Sequence, residues 1–143
     1  MTNKPIRQSV HFPASARQLY DLYIKPKKHA AFTGGPVTIG PKPGTRFRAF
    51  GGQISGVMLY TIPGRLIVQR WRSTHFNKTD PDSILVLTFT DDRNTGRVDL
   101  VHVNVPLQDY EGVTTGWHTY YWTPMRRHLE RKTARATQSR LMK

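Results

Sequence analysis

Six histidines and a few scattered carboxylates are the side chains of this sequence that could carry acid–base chemistry or bind a metal ion. The histidines occupy positions 11, 29, 75, 102, 118 and 128, and none follows the H-x-H or H-E-x-x-H spacing that places ligands on one metal. A metal site formed by distant partners, for example His102 with His118, is the alternative that this spacing leaves open. The sequence contains no cysteine, which excludes disulfides and thiol nucleophiles. We therefore predict no metal, no cofactor and no catalytic residue.

The carboxylates divide between a turn and the start of a helix. Asp91 and Asp92 fall in a turn, whereas Asp109 and Glu111 fall at the beginning of a long predicted helix. A negative side chain there is stabilised by the partial positive charge of the unpaired backbone N–H groups. We interpret Asp109 and Glu111 as helix-stabilising residues.

Strand parity brings a few polar and aromatic side chains to one face of a predicted sheet, because successive residues of a strand alternate between faces. In the segment 65–73 the arginines at 70 and 72 belong outside, so Gln69 and Trp71 point inward. His102 shares this inward face, either as a core histidine bonded to a neighbour or as a polar contact for a ligand. The predicted pocket candidates are Gln69, Trp71, Leu87, Phe89, Leu100, His102, Trp117 and Tyr121.

The element that must position these groups is a long amphipathic helix, predicted from Asp109 to about Lys132. Its apolar residues recur at spacings of three and four and form one stripe, with Trp122 at its margin. Pro124 removes a backbone hydrogen bond and predicts a kink. The stripe consists of Val113, Trp117, Tyr120, Tyr121, Pro124, Met125 and Leu129.

Short strands fill most of the chain before this helix, at 6–12, 37–39, 46–50, 53–62, 65–73, 83–90 and 97–105. Two short helices follow the first strand. Ser15 and Gln18 form a capping-box pattern at the start of one, and the other runs from Pro26 to Gly34. A sheet that curves around a single long helix buries its aromatic stripe. We therefore predict an α+β fold with a curved antiparallel sheet of about six strands.

Net charge and composition bound the remaining properties. Twenty-two Lys and Arg against nine Asp and Glu give a net charge of +13, concentrated after Arg126. Such a surface attracts an acidic protein or another polyanion, but no motif of specific nucleic-acid recognition accompanies it. We predict one domain over 1–132 and a basic C-terminal tail over 133–143 that is disordered or a frayed helical end. The absence of a long apolar run, an N-terminal leader and cysteine predicts a cytoplasmic protein without a membrane span.

Several short motifs occur together between Ile6 and Arg131. They are Phe12-Pro13-Ala14-Ser15, Ala30-Ala31-Phe32-Thr33-Gly34-Gly35, Gly51-Gly52 with Gly56, Ile62-Pro63-Gly64, Trp71-Arg72 after Ile67-Val68-Gln69, and Gly116-Trp117 with Tyr121-Trp122 and Leu129. Together they resemble the single-domain bacterial relatives of the C-terminal domain of the Hsp90 ATPase activator, within the START-like superfamily. The resemblance implies the helix-grip (START-like, Bet v 1-like) fold. Lys25 and Ala16-Arg17-Gln18 depart from the more acidic pattern of that family.

Three functions are compatible with these features. The first is a non-catalytic domain that holds a small hydrophobic ligand between the sheet and the C-terminal helix. The second, implied by the resemblance, is a co-chaperone-like interaction with an acidic protein such as an Hsp90 homologue. The third is a cyclase- or hydrolase-type enzyme, in which His102 or a tyrosine would transfer protons.

Overall fold

The structure, a computed structural model, describes residues 4–141. Six antiparallel strands form one sheet in the order β1-β6-β5-β4-β3-β2, so that β1 and β2 are its edges. The strands are β1 (Ile6–Phe12), β2 (Arg46–Ala49), β3 (Ile54–Ile62), β4 (Leu66–Ser73), β5 (Ser83–Asp92) and β6 (Thr95–Val103). This confirms the predicted α+β, helix-grip architecture.

The predicted strand parity is confirmed by the register. Gln69 pairs with Leu85, and Leu85 pairs with His102, so these residues share the concave face. All three are fully buried, whereas Arg70 is exposed. The predicted strand at 37–39 was wrong: Thr38 forms only an isolated bridge with Arg48. Pro36 and Pro41 bracket this segment and have no N–H to extend a ladder.

Two short helices follow β1, as the capping signals predict. Helix α1 (Ala16–Ile24) begins with a complete capping box between Ser15 and Gln18. Helix α2 (Pro26–Thr33) starts with proline in its first turn and ends at Gly34, which adopts the left-handed conformation with φ of 88°. The departure at Lys25 has a structural consequence, because this residue is the N-cap of α2 and its side chain makes no capping hydrogen bond.

The C-terminal helix is continuous from 107 to 141 and has three parts. They are helix α3 (Leu107–Gly116), a π-helical turn (Trp117–Trp122) and helix α4 (Thr123–Leu141). The turn ends just before Pro124, where the sequence predicts an irregularity, and its wider i→i+5 spacing carries both Tyr121 and Trp122 inward. The prediction that Tyr120 is buried was wrong, since the same turn leaves it 57% exposed.

Beyond Leu129 the side chains of α4 are exposed as far as 141. The predicted tail over 133–143 falls on this helical extension, although 142 and 143 lie outside the described residues. The domain boundary at 132 stays a prediction. Among residues 4–141, none of the helices combines the length and the apolar character that a membrane crossing requires.

Candidate functional site

A cleft opens between the first half of the C-terminal helix and the end of the sheet formed by β3 and β4. Its volume is about 330 Å³, which is within the range of small-molecule sites. Five of the fourteen lining residues are Phe, Trp or Tyr, and polar groups gather beside the N-terminus of α3. The lining residues are Phe50, Gln53, Ile54, Trp71, Ser73, Thr74, His75, Asp109, Gly112, Val113, Gly116, Trp117, Tyr120 and Tyr121.

Two glycines one turn apart leave this part of the helix without side chains. A Cβ atom at Gly112 would lie 3.2 Å from Asp109 Oδ1, and one at Gly116 would lie 3.6 Å from the Tyr120 ring. Neither residue has a positive φ, so larger side chains here would enter the cleft without backbone strain. The absence of side chains at these two lining positions widens the cleft.

The aromatic wall is held together by edge and tilted ring contacts. The ring centroids of Trp117 and Tyr121 are 4.7 Å apart, and those of Trp71 and Trp117 are 6.3 Å apart. Phe50 closes one side, with centroids 5.7 Å from Tyr120 and 5.8 Å from Tyr121. Phe50 has a φ of 53°, an unfavourable conformation for a side chain of this size. Its contacts with the C-terminal helix offset that backbone strain.

Behind this wall, His102 belongs to a closed chain of hydrogen bonds. The indole N–H of Trp117 donates to His102 Nδ1 over 3.2 Å, so Nε2 carries the proton and donates to Ser83 Oγ over 2.8 Å. The Ser83 hydroxyl donates to the carbonyl of Trp71 over 2.6 Å. Burial lowers the pKa of His102 to about 3, so the ring is neutral at pH 7. With both nitrogens engaged, His102 has none free to transfer a proton to a ligand.

A second buried chain joins the two short helices to the C-terminal helix. The Tyr121 hydroxyl donates to His29 Nε2 over 3.0 Å, and His29 Nδ1 donates to the carbonyl of Tyr23 over 2.8 Å. The Tyr23 hydroxyl donates to Gln69 Oε1 over 2.6 Å. Burial lowers the pKa of His29 to about 4, although its bond to the Tyr23 carbonyl acts in the opposite direction. Burial also raises the pKa of Tyr121, which keeps its hydroxyl a donor.

The eight predicted pocket residues fall into three groups. Trp71, Trp117 and Tyr121 line the cleft. Gln69 and His102 lie in the two hydrogen-bonded chains. The other three are buried in the core rather than in the lining of the cleft: Leu87, Phe89 and Leu100. A ligand-binding role for all eight stays a prediction.

Some residues that line the cleft were not among the predicted pocket candidates. Gly112 and Gly116 carry a readable signal, because glycines four apart on a helix face leave room along it. Asp109 was interpreted only as a helix-start residue, yet it is 6% exposed and lines the cleft. Phe50 carried no signal, because its position depends on the left-handed turn that it begins.

No metal site accompanies these groups within residues 4–141, since no cluster of three or more His, Asp or Glu side chains could hold an ion there. The cleft combines an aromatic surface, an opening to solvent and a carboxylate at one end.

The sequence and the fold were compared with those of known proteins. The model of the family described as "Activator of Hsp90 ATPase homolog 1-like protein" matches residues 13–130. The Dictyostelium discoideum "Activator of 90 kDa heat shock protein ATPase homolog" is 28% identical over 116 residues, which is 81% of this chain and 30% of that protein. The human "Activator of 90 kDa heat shock protein ATPase homolog 1" is 27% identical over 78% of this chain and 32% of its own length.

A solved structure has the same fold. The HSP90 activator from Plasmodium falciparum superposes with a TM-score of 0.81 at 19% identity, covering 90% of this chain and 97% of the other. The chain spans about a third of the length of the two curated relatives, whereas it covers 97% of the chain in that solved structure. With the family model matching most of the sequence, the chain belongs to the activator of Hsp90 ATPase homolog 1-like family.

Proposed function

We propose that the chain is a non-catalytic binding domain whose cleft holds a small, largely apolar molecule. The observation that carries the proposal is the aromatic cleft of about 330 Å³ beneath Gly112 and Gly116. Rings with a few polar groups at one end are the common composition of small-molecule sites. Burial of a ligand against Trp117, Tyr121 and Phe50 would supply the hydrophobic part of the binding energy.

A cleft-filling variant tests this proposal. Gly116→Leu places a side chain in the cleft without a close backbone contact, so it should lower the affinity for apolar ligands at least tenfold. Thr115→Leu is the matched control, because Thr115 is exposed and does not line the cleft. Affinities would be measured by tryptophan fluorescence across a library of small aromatic and lipid-like molecules. The absence of any ligand, or equal affinities in both variants, would refute the proposal.

A second candidate function is binding to an acidic protein, with an Hsp90 homologue as the specific candidate. Two matched relatives are named as activators of the 90 kDa heat shock protein ATPase, which supports this choice of partner. The basic surface supports it independently. The pKa of His128 is lowered by partial burial and by the neighbouring charges of Lys132, Arg131 and Arg135. No ion pair involves any of the three within residues 4–141.

The test uses the Hsp90 homologue of the same cell. Binding should weaken as salt rises from 50 to 300 mM, because the Debye length shortens. The triple variant Arg131→Glu, Lys132→Glu and Arg135→Glu should weaken it further, while the cleft variant Gly116→Leu should not. Calorimetry and the ATPase rate of the chaperone are the readouts. No binding and no change in ATPase rate would exclude this function.

A further inference from the structure

The single carboxylate of the cleft is unusually placed for a protein of this charge. Asp109 lies in the first turn of α3, is 6% exposed, and accepts a hydrogen bond from Ser73 Oγ on Oδ2. The chain has 22 Lys and Arg residues, yet within residues 4–141 none of them forms an ion pair with Asp109. Buried carboxylates are normally paired with a cation, because removing their charge from water is costly.

The second oxygen of this carboxylate lies beside Gly112, which lines the cleft together with Asp109. Asp109 Oδ1 accepts no hydrogen bond from the described residues, and Gly112 lies directly beside it. A Cβ atom at position 112 would lie 3.2 Å from Oδ1, within the space that a ligand atom would need to reach it. The glycine therefore leaves an approach to the one acceptor of the cleft that is negatively charged.

The walls around this acceptor suit the same type of ligand. Trp71, Trp117, Tyr121, Tyr120 and Phe50 all present rings to the cleft. Aromatic faces attract ammonium groups and also pack against the apolar part of an organic molecule. A buried carboxylate with rings around it is thus complementary to an amine that carries an apolar body.

We propose that the cleft selects organic cations, with an ammonium group bound at Asp109 Oδ1 and its apolar body against Trp117, Tyr121 and Phe50. The inference rests on the proposed small-molecule function and names the ligand class. The alternative is that Asp109 serves only the helix, through the dipole and its bond to Ser73. That role requires neither a free Oδ1 nor a glycine beside it.

The experiment compares two probes of the same shape, phenethylammonium and propylbenzene. They share a phenethyl group, which ends in an ammonium group in the first and a methyl group in the second. Their affinities would be measured at pH 7 from the tryptophan indole N–H signals in NMR titrations. The cation should bind at least about tenfold more tightly, since hydrogen bonds to charged groups exceed neutral contacts by this much or more. Asp109→Asn should bring the two affinities to within about twofold. Glu111→Gln is the matched control, because it removes an exposed carboxylate from the same turn and should leave the preference unchanged.

The outcomes distinguish failure of the cation preference from failure of the proposed small-molecule function. Equal affinities of both probes for the unchanged protein would overturn the cation preference and leave the small-molecule cleft standing. Binding of neither probe would overturn the cation preference, while the library titration of the Gly116→Leu variant decides the small-molecule function separately. If Asp109→Asn does not fold, Gly112→Ala decides instead: its Cβ should weaken phenethylammonium more than propylbenzene. A preference that survives either folded variant would contradict a role for Asp109.

Discussion

The two ends of the interface between the C-terminal helix and the sheet differ in how completely they are filled. At the closed end, from Trp122 to Met125, large side chains pack into the core outside the lining of the cleft, with Met125 and Leu100 each 1% exposed. At the open end, Gly112 and Gly116 line the cleft of about 330 Å³. One helix thus provides both stability and a binding surface. Large side chains fill the interface at one end of the helix, and small side chains leave room for the cleft at the other end.

The polar groups follow the same division with one exception, since Gln69 Nε2 is buried in the closed part and has no partner among the described residues. The nitrogens of His29 and His102 all have partners in the closed part of the core. In the lining of the open cleft, Trp71 Nε1 and Asp109 Oδ1 have none among the described residues. Satisfied buried groups specify one packing arrangement, whereas unsatisfied groups beside a cleft are available to a ligand.

The largest expected effect is the pH dependence of stability in the closed part. The pKa values of His29 and His102 in the folded protein, about 4 and about 3, lie below the value of 6.5 expected on unfolding. The unfolded chain therefore binds more protons below pH 6.5, and stability is lost as pH falls from 6.5 toward 4 for His29 and toward 3 for His102. At pH 5 the loss should be about 2 kcal/mol for each histidine.

Urea unfolding at pH 7.5 and pH 5.0 measures this loss. His118→Gln is the control, because His118 is exposed on the same helix and its replacement should leave the pH dependence intact. His102→Gln should reduce that dependence by about half, whatever its effect on absolute stability. A protein that is equally stable at both pH values would contradict the conclusion that His29 and His102 are buried in the neutral form.

A smaller effect is the loss of stability from a truncated side chain, which should differ between the closed end and the open end of the helix–sheet interface. Leu100→Ala removes a side chain that pairs across the sheet with Leu87, and it should lower the free energy of unfolding by about 3 kcal/mol. Tyr120→Ala at the cleft rim should lower it by about 0.5 kcal/mol, because that ring is largely exposed. Chemical denaturation of both variants tests the contrast. Similar losses would mean that the ends do not differ as described.

The smallest expected effect has the opposite sign. Gly116→Ala should raise the free energy of unfolding by about 0.5–1 kcal/mol, because glycine is a poor helix former. The same methyl group enters the cleft and should weaken apolar ligands about threefold. Thermal unfolding and a ligand titration on the same sample measure both changes. A stabilised variant with unchanged ligand affinity would show that the glycine at position 116 is not needed for binding.

The fold was predictable because local signals agreed with the long-range pattern. The capping box at Ser15, the proline and glycine that bound α2, and the alternation along β4 to β6 each indicate the element that forms. The resemblance then supplied the helix-grip arrangement. The π-helical turn was not predictable, because it depends on how Tyr121 and Trp122 pack against elements distant in sequence.

The candidate site was predictable only in part for a related reason. Strand parity and helix periodicity place Trp71 and Trp117 on inward faces, and both line the cleft. Periodicity does not distinguish an inward face that is packed from one that lines a cleft. The predicted pocket candidates therefore include Leu87 and Leu100, which lie in the packed core. The burial of Asp109 depends on Ser73 of β4 lying across from the helix start, a contact between residues 36 positions apart.

The most direct test of the central claim is the response of the three tryptophan indole N–H signals to a small aromatic ligand. Trp71 and Trp117 line the cleft, whereas the indole N–H of Trp122 donates to Gln8 Oε1 over 2.6 Å and lies outside the lining. Saturable shifts of the first two signals with an unchanged third are predicted. Unchanged signals from Trp71 and Trp117 with every ligand, or shifts confined to Trp122, would contradict a binding cleft at the glycine end of the helix.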